Sequence, residues 1–419
     1  MTDPTADAHD QRIAELRQRR RARMRYLGVR AAVIAGALTL VVVVFAYWLL
    51  STIGGRELLL GQIVARLPAN ATLTWQQAEG PARGPLTLLG VRFAYTPACA
   101  PDDATCKPGG PIVFTARRMY MDYALRPLFG RRLRLQTLQV SGATLALPRK
   151  DEPFELPRWP ESLPQVAPPL ALQVDDLRID GLRVTRAGEP PDDEVLIDIR
   201  TLRGGLDAQQ GALHVERLRV DSDRGRFTMH GDYAPRDDYR SDLTATAVLT
   251  AAAGRTPARL GFVARGDLSR MDVALAGAAP GPLRAGLVLR GKANPRWRLQ
   301  ARAEALDIGL LTASQEPPSE TPLALHLDAD GVGGSANLRG QVTQGDFSAT
   351  ILPSKLRIAE QILDVRPLVV QVFDGTATLR GRADFREPER AAFNLAVNAR
   401  DLRWGGADKT PSQAATPAI

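Results

Sequence analysis

Three stretches of this chain, LRLQTLQVSG at residues 133–142, LQVDDLRIDG at 172–181 and LHVERLRVDS at 213–222, are copies of one unit. Each holds two apolar pairs whose starts lie five residues apart. The pairs are Leu133 and Leu135 with Leu138 and Val140, Leu172 and Val174 with Leu177 and Ile179, and Leu213 and Val215 with Leu218 and Val220. Alternation within a pair is the period of a β-strand, and two polar residues between pairs would throw the second pair to the opposite face. A bulge or tight bend at each polar pair returns all four side chains to one face, and it also curves and twists the strand. The unit therefore specifies a curled sheet with one apolar face.

The rest of the chain beyond residue 71 is written in the same style. It has few aromatics, no long helical periodicity, and Gly and Pro spaced as turn punctuation between short alternating segments. The expected fold is all-β with one N-terminal transmembrane helix, the strands forming a long curled sheet that makes an elongated apolar groove of roughly 30 strands at about 4.8 Å spacing. The alternative for the same apolar residues is the interior of a closed β-sandwich, which the absence of a second set of strands with matching long loops disfavours. Gly231, Gly266, Gly291, Gly340 and Gly381 each follow a strand segment, where glycine permits a kink or a close backbone approach.

Ahead of the sheet, Ala31 to Ile53 carries no charge and is long enough to cross a hydrocarbon core of roughly 30 Å as a helix. Arg12, Arg17, Arg19, Arg20, Arg21, Arg23, Arg25 and Arg30 precede it, and only Arg56 follows closely. That asymmetry places the N-terminus in the cytoplasm and the bulk of the chain across the membrane. A cleaved signal and a nucleic-acid-binding arm are the competing readings. The run exceeds the roughly 7 to 15 apolar residues of a signal and no A-x-A-like site follows it, while membrane topology already accounts for the arginines.

The expected layout is a cytoplasmic basic tail over 1–30, a signal anchor over 31–53 and a juxtamembrane amphipathic helix over 54–70. A periplasmic repetitive β-region follows over 71–404, with loops at 97–110 and 148–169, and then a disordered tail over 405–419. The short helix, with Leu59, Leu60, Ile63, Val64 and Leu67 on one broad side, either lies on the membrane or plugs an open end of the sheet.

Cys99 and Cys106 lie in a loop of turn formers. In an oxidising compartment they are expected to form a disulfide rather than free thiols, and a zinc site would need about four ligands. The net charge of +8 owes much to the N-terminal arginines, so the exported part carries no nucleic-acid signature. No G-x-S-x-G, phosphate-cradling glycine loop or H-E-x-x-H motif occurs, and acidic pairs such as Asp175 with Asp176 fall at bends. The expectation is a protein that is not an enzyme and needs neither cofactor nor metal.

The phrases GPLTLLGVRF at 84–93, YALRPLFGRRLRLQTLQVSGATL at 123–145 and VRPLVVQVFDGTATLRGRADF at 365–385, behind a signal anchor, resemble the AsmA-like superfamily. Within it they most resemble the N-terminal part of TamB-type inner-membrane subunits of translocation and assembly modules. Full members are longer and end in a C-terminal domain with no counterpart here. The resemblance implies a sheet folded lengthwise into an apolar groove that reaches from the bacterial inner membrane into the periplasm. It also implies a part in moving phospholipid toward the outer membrane, or in assembling outer-membrane proteins with a barrel partner. As a lipid conduit, the chain would line its groove with the twelve repeat residues named above and hold acyl chains there. As a scaffold, it would offer a sheet edge as a template. Arg132, Arg134, Arg178, Arg183 and Arg219, at the polar positions of the repeat, are expected to face solvent.

Overall fold

The computed structural model describes residues 39–41, 44–45, 47, 53–65, 67–81, 84–96, 110–124, 132–149, 156, 159–160, 163–168, 171–187, 193–312, 321–387 and 390–403. The chain divides into two compact units, residues 1–68 with 78–86, and residues 69–77 with 87–419.

In the first unit the helix Ile53–Ala65 buries Leu60 and also Arg56, whose guanidinium donates to the Glu57 carboxylate at 2.7 Å and to the Gly80 carbonyl at 3.2 Å. Of the charge-free run only residues 39–41, 44–45, 47 and 53 are described. No helix among the described residues is long and apolar enough to cross a membrane. The basic tail, most of the expected span, both cysteines and the C-terminal tail lie outside the described residues.

The strands are β1 (Ala71–Thr74), β2 (Gln77–Glu79), β3 (Leu86–Tyr95), β4 (Ile112–Ala124), β5 (Arg132–Leu147), β6 (Ala171–Arg186), β7 (Glu194–Gln209), β8 (Ala212–Ser222), β9 (Gly225–Ala234) and β10 (Arg240–Leu249). They continue as β11 (Arg259–Gly266), β12 (Arg270–Ala278), β13 (Pro282–Arg290), β14 (Arg296–Leu306), β15 (Leu323–Val332), β16 (Ser335–Gln344), β17 (Phe347–Ala359), β18 (Ile362–Val372), β19 (Gly375–Asp384) and β20 (Ala392–Arg400). All twenty belong to one curled, open sheet. The sequence leads one to expect roughly 30. Among the described residues there are twenty, and in β5 and β6 two apolar pairs with their bulge run on as one strand of 16 residues.

From β6 to β20 each strand pairs antiparallel with its neighbour in the chain. The pair β5–β6 is parallel, and the connection after Leu147 returns to the start of β6 at Ala171. Segment 148–169 is thus a crossover within the sheet, as a parallel pair demands. Its described residues are held by backbone contacts. The Leu156 N–H and carbonyl are bonded by the Gln361 side-chain amide at 2.7 and 2.8 Å, and the Gly211 N–H donates to Val166 at 2.6 Å.

Side chains alternate cleanly along several of the later strands. β14, for example, exposes Arg296, Arg298, Gln300 and Arg302 on one face and turns Trp297, Leu299, Ala301 and Ala303 to the other. Where two strands approach closely, glycine is required. A Cβ on Gly231, at φ 129°, would stand 1.9 Å from the Asp242 carbonyl oxygen across the β9–β10 ladder. At one end of β10–β14, Leu249, Ala258, Ala279, Leu283 and Ala303 form a small core closed by Leu310 of the short helix Ile308–Leu311.

Candidate functional site

The three repeat copies fall on β5, β6 and β8, and the ladder brings their apolar residues into rows across the sheet. Leu135 lies beside Val174, Val174 beside Leu206, Leu206 beside Val215, and Val215 beside Gly231. The neighbouring rows run Leu133, Leu172, Ala208, Leu213, Tyr233 and Val140, Ile179, Leu202, Val220, Phe227. In a fourth, Leu138 sits beside Leu177, which faces Gly204, and on the far side Leu218 faces Met229.

This alignment depends on bulges at the polar pairs of all three copies. Against β4, Leu135 pairs with Tyr123 and Thr137 with Asp122, leaving Gln136 over. On β6, Asp175 and Asp176 oppose the single residue Gly205, and on β8, Glu216 and Arg217 oppose the single residue His230. Arg217 takes φ 44°, and further along β5 and β6 the adjacent Gly142 and Gly181 take φ 59° and 77°. Each bulge restores the inward direction of the next pair and adds twist.

The centre of the face is packed. Leu135, Val174 and Leu177 are almost fully buried, against Met121, Tyr123, Leu133, Leu138, Leu172, Ile179, Leu202 and Leu206. Burial raises the Tyr123 phenol above its ordinary pKa. Val140 and Val215 are buried too, whereas Leu213, Leu218 and Val220 stay partly exposed. Farther along, Leu287, Leu299, Ala329 and Leu338 make a further row on the same pattern, with the three leucines again half-buried. From β4 to β20 each strand's principal contacts are with its ladder neighbours, and no second sheet covers these rows among the described residues. The described residues therefore build one open sheet and not a closed sandwich.

On the opposite face, arginines stand beside aspartates. Arg134 donates to Asp175 at 3.0 Å, Arg178 to Asp176 at 2.7 Å, Arg183 to Asp198 at 3.3 Å and Arg203 to Asp180 at 2.7 Å. Arg219 is exposed. Arg178, held mainly by its bond to Asp176, has a pKa above the usual arginine value.

Strand β7, with Leu202 and Leu206 in the rows, escaped the sequence reading. It has no repeat copy, and its apolar residues change phase at the extra residue Arg200, from Val195, Ile197 and Ile199 to Leu202 and Leu206. The signal left in the text is the length between β6 and β8, which is too long for a turn.

One curled open sheet, apolar along one face and charged on the other, places the chain among all-β proteins. The family described as TamB, N-terminal domain, matches residues 130–403, and the chain belongs to it. Neither a curated protein nor a solved structure matches.

Proposed function

We propose that the apolar face is the floor of a groove that shields phospholipid acyl chains between an inner and an outer membrane. In this reading the chain is anchored in the inner membrane by residues 31–53, reaches into the periplasm, and acts without catalysis. The observation that carries the proposal is the run of half-buried leucines along a face that no second sheet covers among the described residues. An apolar surface of that extent has to meet itself, a partner or a ligand. Lining an acyl chain with such side chains offsets about 0.8 kcal/mol of hydration cost per shielded methylene. Membership of the TamB family supports both lipid transport and module assembly as the broader role.

The test is a photoreactive residue placed singly at Leu299, on the apolar face, and at Arg219, on the charged face of β8, in the full chain within bacterial envelopes. Lipid adducts at residue 299 and none at 219 are expected, and equal labelling would overturn the groove. A second reading rests on β20, which pairs only with β19 among the described residues and leaves Phe393, Leu395 and Val397 62, 44 and 71% exposed. Such an edge can accept a strand from an outer-membrane barrel protein during assembly.

A further inference from the structure

The charged face is not uniform. Over β5–β9, Arg134, Arg183, Arg200 and Arg203 are matched by aspartates on neighbouring strands, Arg219 and Arg226 have no carboxylate partner among the described residues, and Arg265 is matched with Asp242 and Arg382 with Asp364. Between β13 and β17 the matching fails. Arg284, Arg296, Arg298, Arg302, Lys355 and Arg357 have no carboxylate partner among the described residues. Two like-charged pairs stand directly opposite across the β13–β14 ladder, Arg284 against Arg302 and Arg290 against Arg296. Such pairs repel, and the Asp272 carboxylate, at 2.8 Å from Arg290, relieves only one member of one pair.

Four of these unmatched cations, Arg296, Arg298, Lys355 and Arg357, border a shallow depression of about 670 Å³ on this face. Its rim also includes Val288 and Val332, both on the charged face by strand parity and 39 and 42% exposed. The ladder sets Val288 beside Arg298 and Val332 beside Arg296, so each valine stands next to a free guanidinium. The single carboxylate of the lining, Asp330, accepts a hydrogen bond from Asn337 at 3.1 Å. Apolar side chains rising among a cluster of unmatched cations match the two layers of an anionic bilayer face. Its phosphates would take the guanidinium groups, and its headgroup boundary would take the valines.

We propose that the charged face of β13–β17 is a docking surface for an anionic phospholipid bilayer. Contact with phosphates removes the repulsion within the cluster and gives the sheet a fixed side toward the membrane, while the apolar face looks away. Docking and acyl shielding use opposite faces, so each can fail without the other.

The full chain, held in nanodiscs of phosphatidylcholine, is mixed with liposomes of phosphatidylcholine alone or with phosphatidylglycerol, and flotation is measured. The expected result is flotation with the phosphatidylglycerol liposomes only, weakening as salt rises. Arg296→Glu with Arg298→Glu, Lys355→Glu and Arg357→Glu should lower the partition constant at least several hundredfold, from roughly fivefold per cation lost at an anionic surface, and so abolish flotation. Val288→Ser with Val332→Ser, which leaves every charge in place, should cut it less but measurably. Thermal unfolding confirms that each variant is folded. Flotation of the wild type and the reversed variant to the same extent, or equally with both liposomes, overturns the proposal. So does capture by polyglutamate with no flotation, which would give the patch to an acidic protein instead.

Discussion

Gln361 shows how a single residue ties distant parts of the chain together. It occupies the β17–β18 turn with Glu360, at φ 62° and 50°, a backbone that residues other than Gly and Asn adopt reluctantly. Its side chain is 8% exposed, and the amide both accepts from the Leu156 N–H and donates to the Leu156 carbonyl. Gln361→Ala would leave both buried backbone groups unpaired, and we expect it to cost about 1–3 kcal/mol in urea unfolding. Gln361→Glu should cost at least as much, since it sets a carboxylate oxygen against the Leu156 carbonyl. A change within about 0.5 kcal/mol for both would show that the clasp adds nothing.

Carboxylates at the end of β18–β19 set an acid limit. Hydrogen bonds from Arg386, first from its side chain and then from its backbone, hold Asp384 down to about 2, and Arg382 and then Arg366 lower Asp364. Both acids bind protons less readily in the folded chain. Their contribution is therefore complete above the ordinary carboxylate range and fades as pH falls toward about 2. The urea midpoint should drop between about pH 4 and pH 2, and Asp364→Asn with Asp384→Asn should flatten that drop. An unchanged profile in the double variant would refute the assignment.

At the scale of the strand, the polar pair of the repeat is what keeps the rows straight. Adding one alanine between Asp175 and Asp176 would put two extra residues where β6 now carries one against β7. Leu177 and Ile179 would then turn to the charged face, and Arg178 would turn inward. We expect loss of the cooperative unfolding transition, or a midpoint shift far larger than that of the same insertion after Ala187, beyond the strand end. Equal effects at the two sites would mean that the bulge is dispensable.

The repeat made this part of the fold legible before any coordinates, because the mismatch between a period of two and a spacing of five leaves only a bulge as the remedy. Strand β7 was harder to read, since its alternation through Val195, Ile197 and Ile199 changes phase at Arg200 before Leu202 and Leu206. The parallel pairing of β5 with β6 was not legible, since it depends on where residues 148–169 travel. Their anchors at Gly211 and Gln361 lie far along the sequence. The turn at Glu360 and Gln361 carries no glycine, asparagine or proline to announce it. Among the twelve proposed lining residues, the text could not separate Leu135, Val174 and Leu177, which are packed, from Leu213, Leu218 and Val220, which keep exposure. That distinction comes from neighbours on β4 and β7.

Across the whole molecule, face and edge offer separate capacities, so the two readings of function can be set against each other in one chain. Phe393, Leu395 and Val397 sit opposite Ala383, Gly381 and Leu379 on the same ladder, and they are exposed where β20 pairs only with β19 among the described residues, without a change of face. Phe393→Lys with Val397→Lys leaves β19 pairing intact while placing charge where an added strand would pack, a substitution that blunts edges. Leu299→Glu instead sets a charge on the half-buried row well away from the edge. If lipid shielding is the activity, Leu299→Glu abolishes lipid recovered in native mass spectrometry of the full chain, and the double lysine variant retains it. If strand templating is the activity, the lysine variant loses crosslinking to an outer-membrane barrel protein, and the glutamate variant keeps it. Loss of both properties in either variant, with thermal unfolding unchanged, would mean that face and edge act as one surface, and that acyl chains and an added strand share the same end of the sheet.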